Sequence, residues 1–252
     1  MESLIRGLRM RVLITRHQQA AKSLENDLKA LGFITLLEPL ISIEFLKCSI
    51  RFENINAVLV TSGNAARALA MATKERNIQI YAVGDATALV LKKQGFLSVA
   101  SAKGNSIDLL DLVTGCVDPE EGRLLYVSGE EIADDFSKHL IKRGFSFERA
   151  VLYRALAANC FSEGVLESLQ NNGINVILFF SPRTAEIFVK LIVKFGLTES
   201  CSTMSAVCLS KAVACKANHL KWHKVAIAKK PDQVSMITAL SELRSAIKSE
   251  WK

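Results

Sequence analysis

The chain has 252 residues and a mass of 27.7 kDa, with 50% of its residues hydrophobic and 23% charged. These proportions exclude wholesale disorder and fibrous or collagen-like classes, and the length allows about 1.7 average domains, so one large or two small. The 32 basic residues against 25 acidic ones give a net charge of +7, which points to an anionic partner without naming it.

Residues 1–9 alternate charged and apolar side chains and read as a loose extension rather than a secretory signal. No apolar run approaches the roughly 18 residues needed to span a bilayer. Residues 11–38, RVLITRHQQAAKSLENDLKALGFITLLE, open with an apolar β-rich run. They continue with Ala20, Leu24 and Leu28 at helical spacing and reach Gly32-Phe33, a helix end followed by a new strand. The unit therefore reads strand, helix, strand. Residues 39–56 are irregular and suit a linker. Strand-then-helix units follow at 57–69, AVLVTSGNAARAL, and at 81–101, YAVGDATALVLKKQGFLSVAS.

The order then starts again. Residues 123–150, RLLYVSGEEIADDFSKHLIKRGFSFERA, resemble 11–38 at an offset of 112, with Ile132, Phe136 and Leu140 on the helical spacing and Gly144-Phe145 at its end. Residues 151–164 form a second irregular stretch. Residues 176–188, VILFFSPRTAEIF, resemble 57–69 with Ser181 over Ser62, and 207–227 resemble 81–101. Six modules in two sets of three favour a duplication over the self-similarity that any α/β chain shows at this level.

The strand runs are short and almost wholly apolar, as parallel strands covered on both faces by helices must be. The expected fold is α/β, with two doubly wound parallel-sheet domains of flavodoxin-like type. One expected domain takes residues 1–42 plus 158–252, the other the inserted residues 50–150, with linkers at 43–49 and 151–157. Two consecutive halves would satisfy the same pattern.

Ligands of open parallel sheets bind beyond the carboxyl ends of the strands. The six ends here read Thr15-Arg16-His17, Thr61-Ser62-Gly63-Asn64, Gly84-Asp85-Ala86-Thr87, Ser128-Gly129-Glu130, Ser181-Pro182-Arg183-Thr184 and Ser210-Lys211. Small hydroxyl residues at helix starts cap orphan amides, and helix N-termini attract anions. Plain capping explains any one of them. Six together in a +7 chain favour a polyanionic small molecule over nucleic acid, for which no aromatic interleaving or helix-turn-helix is present. GxGxxG, GxxxxGK[ST] and GxSxG patterns are absent. Cys215, His219 and His223 are spaced by four, as zinc ligands on one helix face would be, but lysines surround them and an ordinary helix end is the expected reading. The six Cys form no CxxC pair and are expected as reduced, mostly buried residues of a cytoplasmic protein.

Several of these segments resemble the uroporphyrinogen-III synthases, over Arg11 to about Leu243. They are VLITR (12–16), the Gly-Phe turn with LEPLISIE (37–44), AVLVTSGNAARAL (57–69), AVGDATA (82–88), LYVSG (125–129), VLYRA (151–155) and FFSPRTAE (179–186). The resemblance implies the interleaved domains, joined by a two-stranded linker with the site in a cleft between them. It implies a lyase of tetrapyrrole and heme biosynthesis that cyclises hydroxymethylbilane to uroporphyrinogen III, inverting ring D and losing water. No cofactor or metal, no membrane and no nucleic acid are implied, and a monomer is expected. The substrate carries eight carboxylates, which fits the basic surplus. Tyr153 matches the family tyrosine and is the candidate general acid. Thr15, Arg16, Ser62, Gly63, Asn64, Gly84, Thr87, Ser128, Ser181 and Arg183 carry over as substrate-binding positions.

One segment departs from the family pattern. Where relatives have a Gly and a Thr in the last module, this chain has Leu209-Ser210-Lys211-Ala212-Val213-Ala214. Val213 removes a hydroxyl, and Lys211 is the candidate compensating cation. The rival reading is a non-catalytic two-lobed ligand-binding or sensor protein.

Overall fold

The computed structural model describes residues 10–132 and 136–250; the expected N-terminal extension, residues 1–9, lies outside the described residues. The elements in chain order are β1 (Arg11–Ile14), α1 (Gln18–Ala30), β2 (Ile34–Leu37), β3 (Ile41–Phe45), β4 (Ile55–Val60), α2 (Gly63–Ala72), β5 (Ile80–Ala82), α3 (Asp85–Lys93), β6 (Val99–Ser101), α4 (Ser106–Cys116) and β7 (Arg123–Gly129). There follow α5 (Phe136–Lys142), β8 (Phe147–Ala157), α6 (Glu163–Gln170), β9 (Val176–Phe179), α7 (Pro182–Lys194), β10 (Ser205–Cys208), α8 (Lys211–Ala217), β11 (Lys224–Ile227) and α9 (Gln233–Glu250).

The chain divides into two compact units. One takes the described residues up to Ser42 and from Ala157 onward, the other Ile43–Leu156. Each is built on its own sheet, ordered β11-β10-β9-β1-β2 in the first and β3-β8-β7-β4-β5-β6 in the second. The neighbours from β11 to β2 in the first sheet and from β8 to β6 in the second all pair parallel. Read by chain order within its unit, the first sheet is the flavodoxin-like 2-1-3-4-5. β3 and β8, on which the expected linkers fall, are hydrogen-bonded neighbours in the second sheet, with Leu46 N donating to Leu152 O at 2.8 Å.

The repeat has a spatial counterpart. If β7, β8, β4, β5 and β6 stand for β1, β2, β9, β10 and β11, the second sheet without its edge strand β3 has the same strand order as the first, although the chain enters them at different points. The helix ends match too. Gly32 and Gly144 have φ of 81° and 84°, and Phe33 N and Phe145 N donate to Leu28 O and Leu140 O, the six-to-one bond of a Schellman cap.

The apolar strands split their side chains alternately between the two faces. Val58, Val60, Leu125 and Val127 pack on α2 and α3, while Ala57, Leu59, Leu124 and Tyr126 pack on α4 and α5. In the first unit Leu13, Ile177 and Phe179 face α6, α7 and α8, and Val12, Ile14 and Leu178 face α1 and α9. Burial on both faces is why these strands have no polar alternation. All six cysteines are unpaired. The expectation that they are mostly buried fails: Cys201 and Cys208 are, while Cys48, Cys116, Cys160 and Cys215 are exposed. Cys215 is near the end of α8, which stops at Ala217, so His219 and His223 share no helix face with it.

Candidate active site

In an open parallel sheet the ligand crevice forms where the winding reverses. That point lies between β4 and β7 in the second unit and between β1 and β9 in the first.

In the second unit it holds Tyr153. Ser62 is the N-cap of α2, its Oγ accepting from Ala65 N at 3.0 Å, and the Tyr153 hydroxyl is 3.2 Å from the same Oγ. Two backbone features put the phenol there. Ser128 pairs with Val151 but Gly129 pairs with Tyr153, so Leu152 is an extra residue in β8. A one-residue slip turns the following side chain to the opposite face, and Tyr153 accordingly packs on the cluster under α2. The ring then needs room. A Cβ on Gly129 would stand 2.7 Å from Tyr153 Cε2 and 2.8 Å from Cζ, closer than carbon atoms approach. Gly129→Ala is therefore expected to displace the ring, lowering kcat about tenfold and stability by about 1–3 kcal/mol. Steady-state kinetics and thermal unfolding measure both, and an unchanged kcat would make the ring position immaterial.

The other expected residues of this unit are arranged around that pair. Gly63 and Asn64 begin α2, and Asn64 Oδ1 accepts from Arg67 Nη2 at 2.8 Å. Gly84 is the extended N-cap of α3, and Thr87, three residues later, is 7% exposed. Ser128 is 2% exposed, donates to Gly129 O at 3.0 Å and accepts from Arg149 Nε at 2.8 Å. Its hydroxyl is a structural bond at the strand end.

In the first unit Arg16 is the notable group. Its guanidinium lies 4.7 Å over the Phe180 ring and donates to Gln233 Oε1 at 3.4 Å, and burial lowers its pKa. Among the described residues no carboxylate pairs with it, so the cation is open to an external anion. Ser181 caps α7, its Oγ accepting from Thr184 N at 3.1 Å and lying 2.7 Å from Thr184 Oγ1. Arg183 is half-buried in the first turn of α7, and Lys211 is exposed at the start of α8. Thr15 is 2% exposed and its hydroxyl donates to Leu178 O at 2.7 Å, tying β1 to β9.

Val213 is 1% exposed in the core of the first unit, and its amide donates to Ser210 Oγ at 3.4 Å. Its equivalents at the third position of α2, α3 and α7 are Ala65, Thr87 and Thr184, all buried. A side chain at this position is directed towards the sheet, so valine fills the space of a threonine without disturbing the helix start. Sequence reasoning missed Phe180 and Arg149. Nothing in the linear pattern marks an aromatic platform or a half-buried fork.

No cluster of three His, Cys, Asp or Glu able to hold a metal occurs among the described residues, and no described helix is long and apolar enough to cross a membrane.

The fold has solved counterparts. A uroporphyrinogen-III synthetase from Helicobacter pylori 26695 is 19% identical, covering 93% of this chain and 99% of its own, with a TM-score of 0.64. A mutant uroporphyrinogen III synthase from the extremely thermophilic bacterium Thermus thermophilus is also 19% identical, covering 92% and 98%, with a TM-score of 0.52. No curated protein matches the sequence. The family model "Uroporphyrinogen-III synthase HemD" does match, over residues 22–238. That span runs from the first turns of α1 into α9 and takes in every strand end except that of β1, so the chain belongs to the uroporphyrinogen-III synthase family, a family of lyases of heme biosynthesis.

Proposed function

We propose that the strand-end residues described above carry out the family reaction in this chain, closing hydroxymethylbilane to uroporphyrinogen III. Tyr153 donates its phenolic proton to the terminal hydroxyl as the carbon–oxygen bond breaks, releasing water and leaving an azafulvene cation. The substituted carbon of ring D attacks that cation to give a spiro intermediate. The intermediate fragments and recloses at the other carbon, and loss of a proton restores the pyrrole and the net charge.

The observation that carries this reading is the Tyr153–Ser62 contact at the reversal of the second sheet. Because Ala65 N already donates to Ser62 Oγ, the serine proton is free to turn to the tyrosine oxygen as it loses its own. The positive end of α2 adds to the stabilisation of the phenolate. Arg16, Arg183, Lys211 and the amides at Ser62, Gly84 and Ser181 are the proposed carboxylate seats. Six unpaired thiols support a cytoplasmic protein, and the reading takes it to act as a monomer.

The test is to supply hydroxymethylbilane and resolve the isomers. Isomer III is the expected product, while isomer I alone, the result of unassisted closure, would overturn the proposal. Capture of the substrate by charge also requires the apparent KM to rise with ionic strength. A KM indifferent to salt would remove electrostatic capture from the account.

A further inference from the structure

The end of β7 is held by one side chain that takes no part in the proposed chemistry. Arg149, which stands beside Tyr126 in the β7–β8 register, donates from Nε to Ser128 Oγ at 2.8 Å. Its Nη2 donates to Gly129 O at 2.6 Å and to Glu130 O at 2.8 Å. Three consecutive residues are thus fixed to one planar fork, a geometry that guanidinium can span and ammonium cannot.

These are also the residues that set the phenol. The Tyr153 ring lies against Gly129, and Glu130 N donates to Tyr153 O at 2.9 Å. The register slips between Ser128 and Gly129, so the ladder is interrupted at the one place where Tyr153 must be aimed. Arg149 supplies bonds to the tip where the strand pairing lapses.

We propose that Arg149 is a positioning residue for Tyr153: by fixing the bulged end of β7 it keeps the phenol over Gly129 and on Ser62. The inference rests on Tyr153 being the acid of the reaction. Arg149 touches no reacting atom and acts through the backbone. Replacement by methionine keeps the apolar stem, and the exposed Glu130 segment exchanges its bond for water, so the variant is expected to fold.

The experiment is a double-mutant cycle with hydroxymethylbilane, using Arg149→Met, Tyr153→Phe and the pair, with rates taken per folded protein from thermal unfolding. Arg149→Met is expected to lower kcat about tenfold with KM changed less than about twofold. In the Tyr153→Phe background the same change should lower kcat less than about twofold, because the group it positions is gone. Arg149→Lys, which keeps the charge and loses the fork, should fall between Arg149→Met and the unmodified chain, and it carries the cycle if Arg149→Met fails to fold. Effects that multiply in the double variant, or a slow Tyr153→Phe beside an unaffected Arg149→Met, would overturn the positioning role. An unaffected Tyr153→Phe would instead overturn the acid role on which it rests, so the two failures are distinguishable.

Discussion

Tyr153→Phe is expected to lower kcat by about 100-fold while leaving the fold intact, the low end of what a positioned general acid contributes. The phenylalanine ring keeps the contacts over Gly129 and beneath α2, and Ser62 keeps its bond to Ala65 N, so only the proton donor is removed. Because unassisted closure gives isomer I, a slowed enzyme should also release a mixture of isomers, with the share of isomer I rising as the enzyme is diluted. Product resolution by chromatography therefore reads the same loss independently of the rate. If kcat stays within about twofold of the unmodified chain, Tyr153 takes no part in proton transfer and the reading of the second unit's strand ends has to be rebuilt.

That phenol illustrates how much of the site was legible in the sequence. The short apolar strands, the Gly-Phe helix ends and the sixfold module order come from local chemistry, because double-sided burial and left-handed caps each restrict residue choice at fixed spacing. All of them reappear in the structure, down to the matching positive φ at Gly32 and Gly144. The capping serines were equally legible: Ser62, Ser181 and Ser210 each accept from the amide three residues on. What was not legible depends on pairings distant in the chain. Thr15 is at a strand end by sequence, yet its hydroxyl is spent on Leu178, 163 residues away. Gly129 looks like one more turn glycine until the slip at Leu152 brings the Tyr153 ring against it. Arg149 reads as a charged residue on a strand, and only its three acceptors show that it is a clamp. The cysteines show the same limit, since a scattered Cys gives no sign of which helix face it occupies.

The two buried cysteines lead to the second large expected effect, a loss of stability in mild alkali. Cys201 and Cys208 are both 0% exposed in the core of the first unit, and burial pushes each thiol up to about 12. In the unfolded chain the same thiols ionise near 8.5–9. Above that value the unfolded form releases two protons that the folded form keeps, so unfolding is favoured as pH rises. The stability they confer is therefore complete below about pH 8.5 and is lost progressively up to the folded value. At about 1.4 kcal/mol per thiol per pH unit in that window, the pair should cost the first unit about 3 kcal/mol between pH 8 and pH 10. Urea unfolding under reducing conditions at the two pH values measures it. Burial also raises the pKa of Tyr81 in the second unit, where the same loss begins only as pH approaches the unfolded tyrosine value near 10, so it adds little by pH 10. A Cys201→Ala/Cys208→Ala variant should start less stable at pH 8, because two core sulfurs are gone, but its curve should flatten towards pH 10. If the unmodified chain is equally stable at both values, the thiols titrate in the folded protein, and the core around Cys201 and Cys208 admits water.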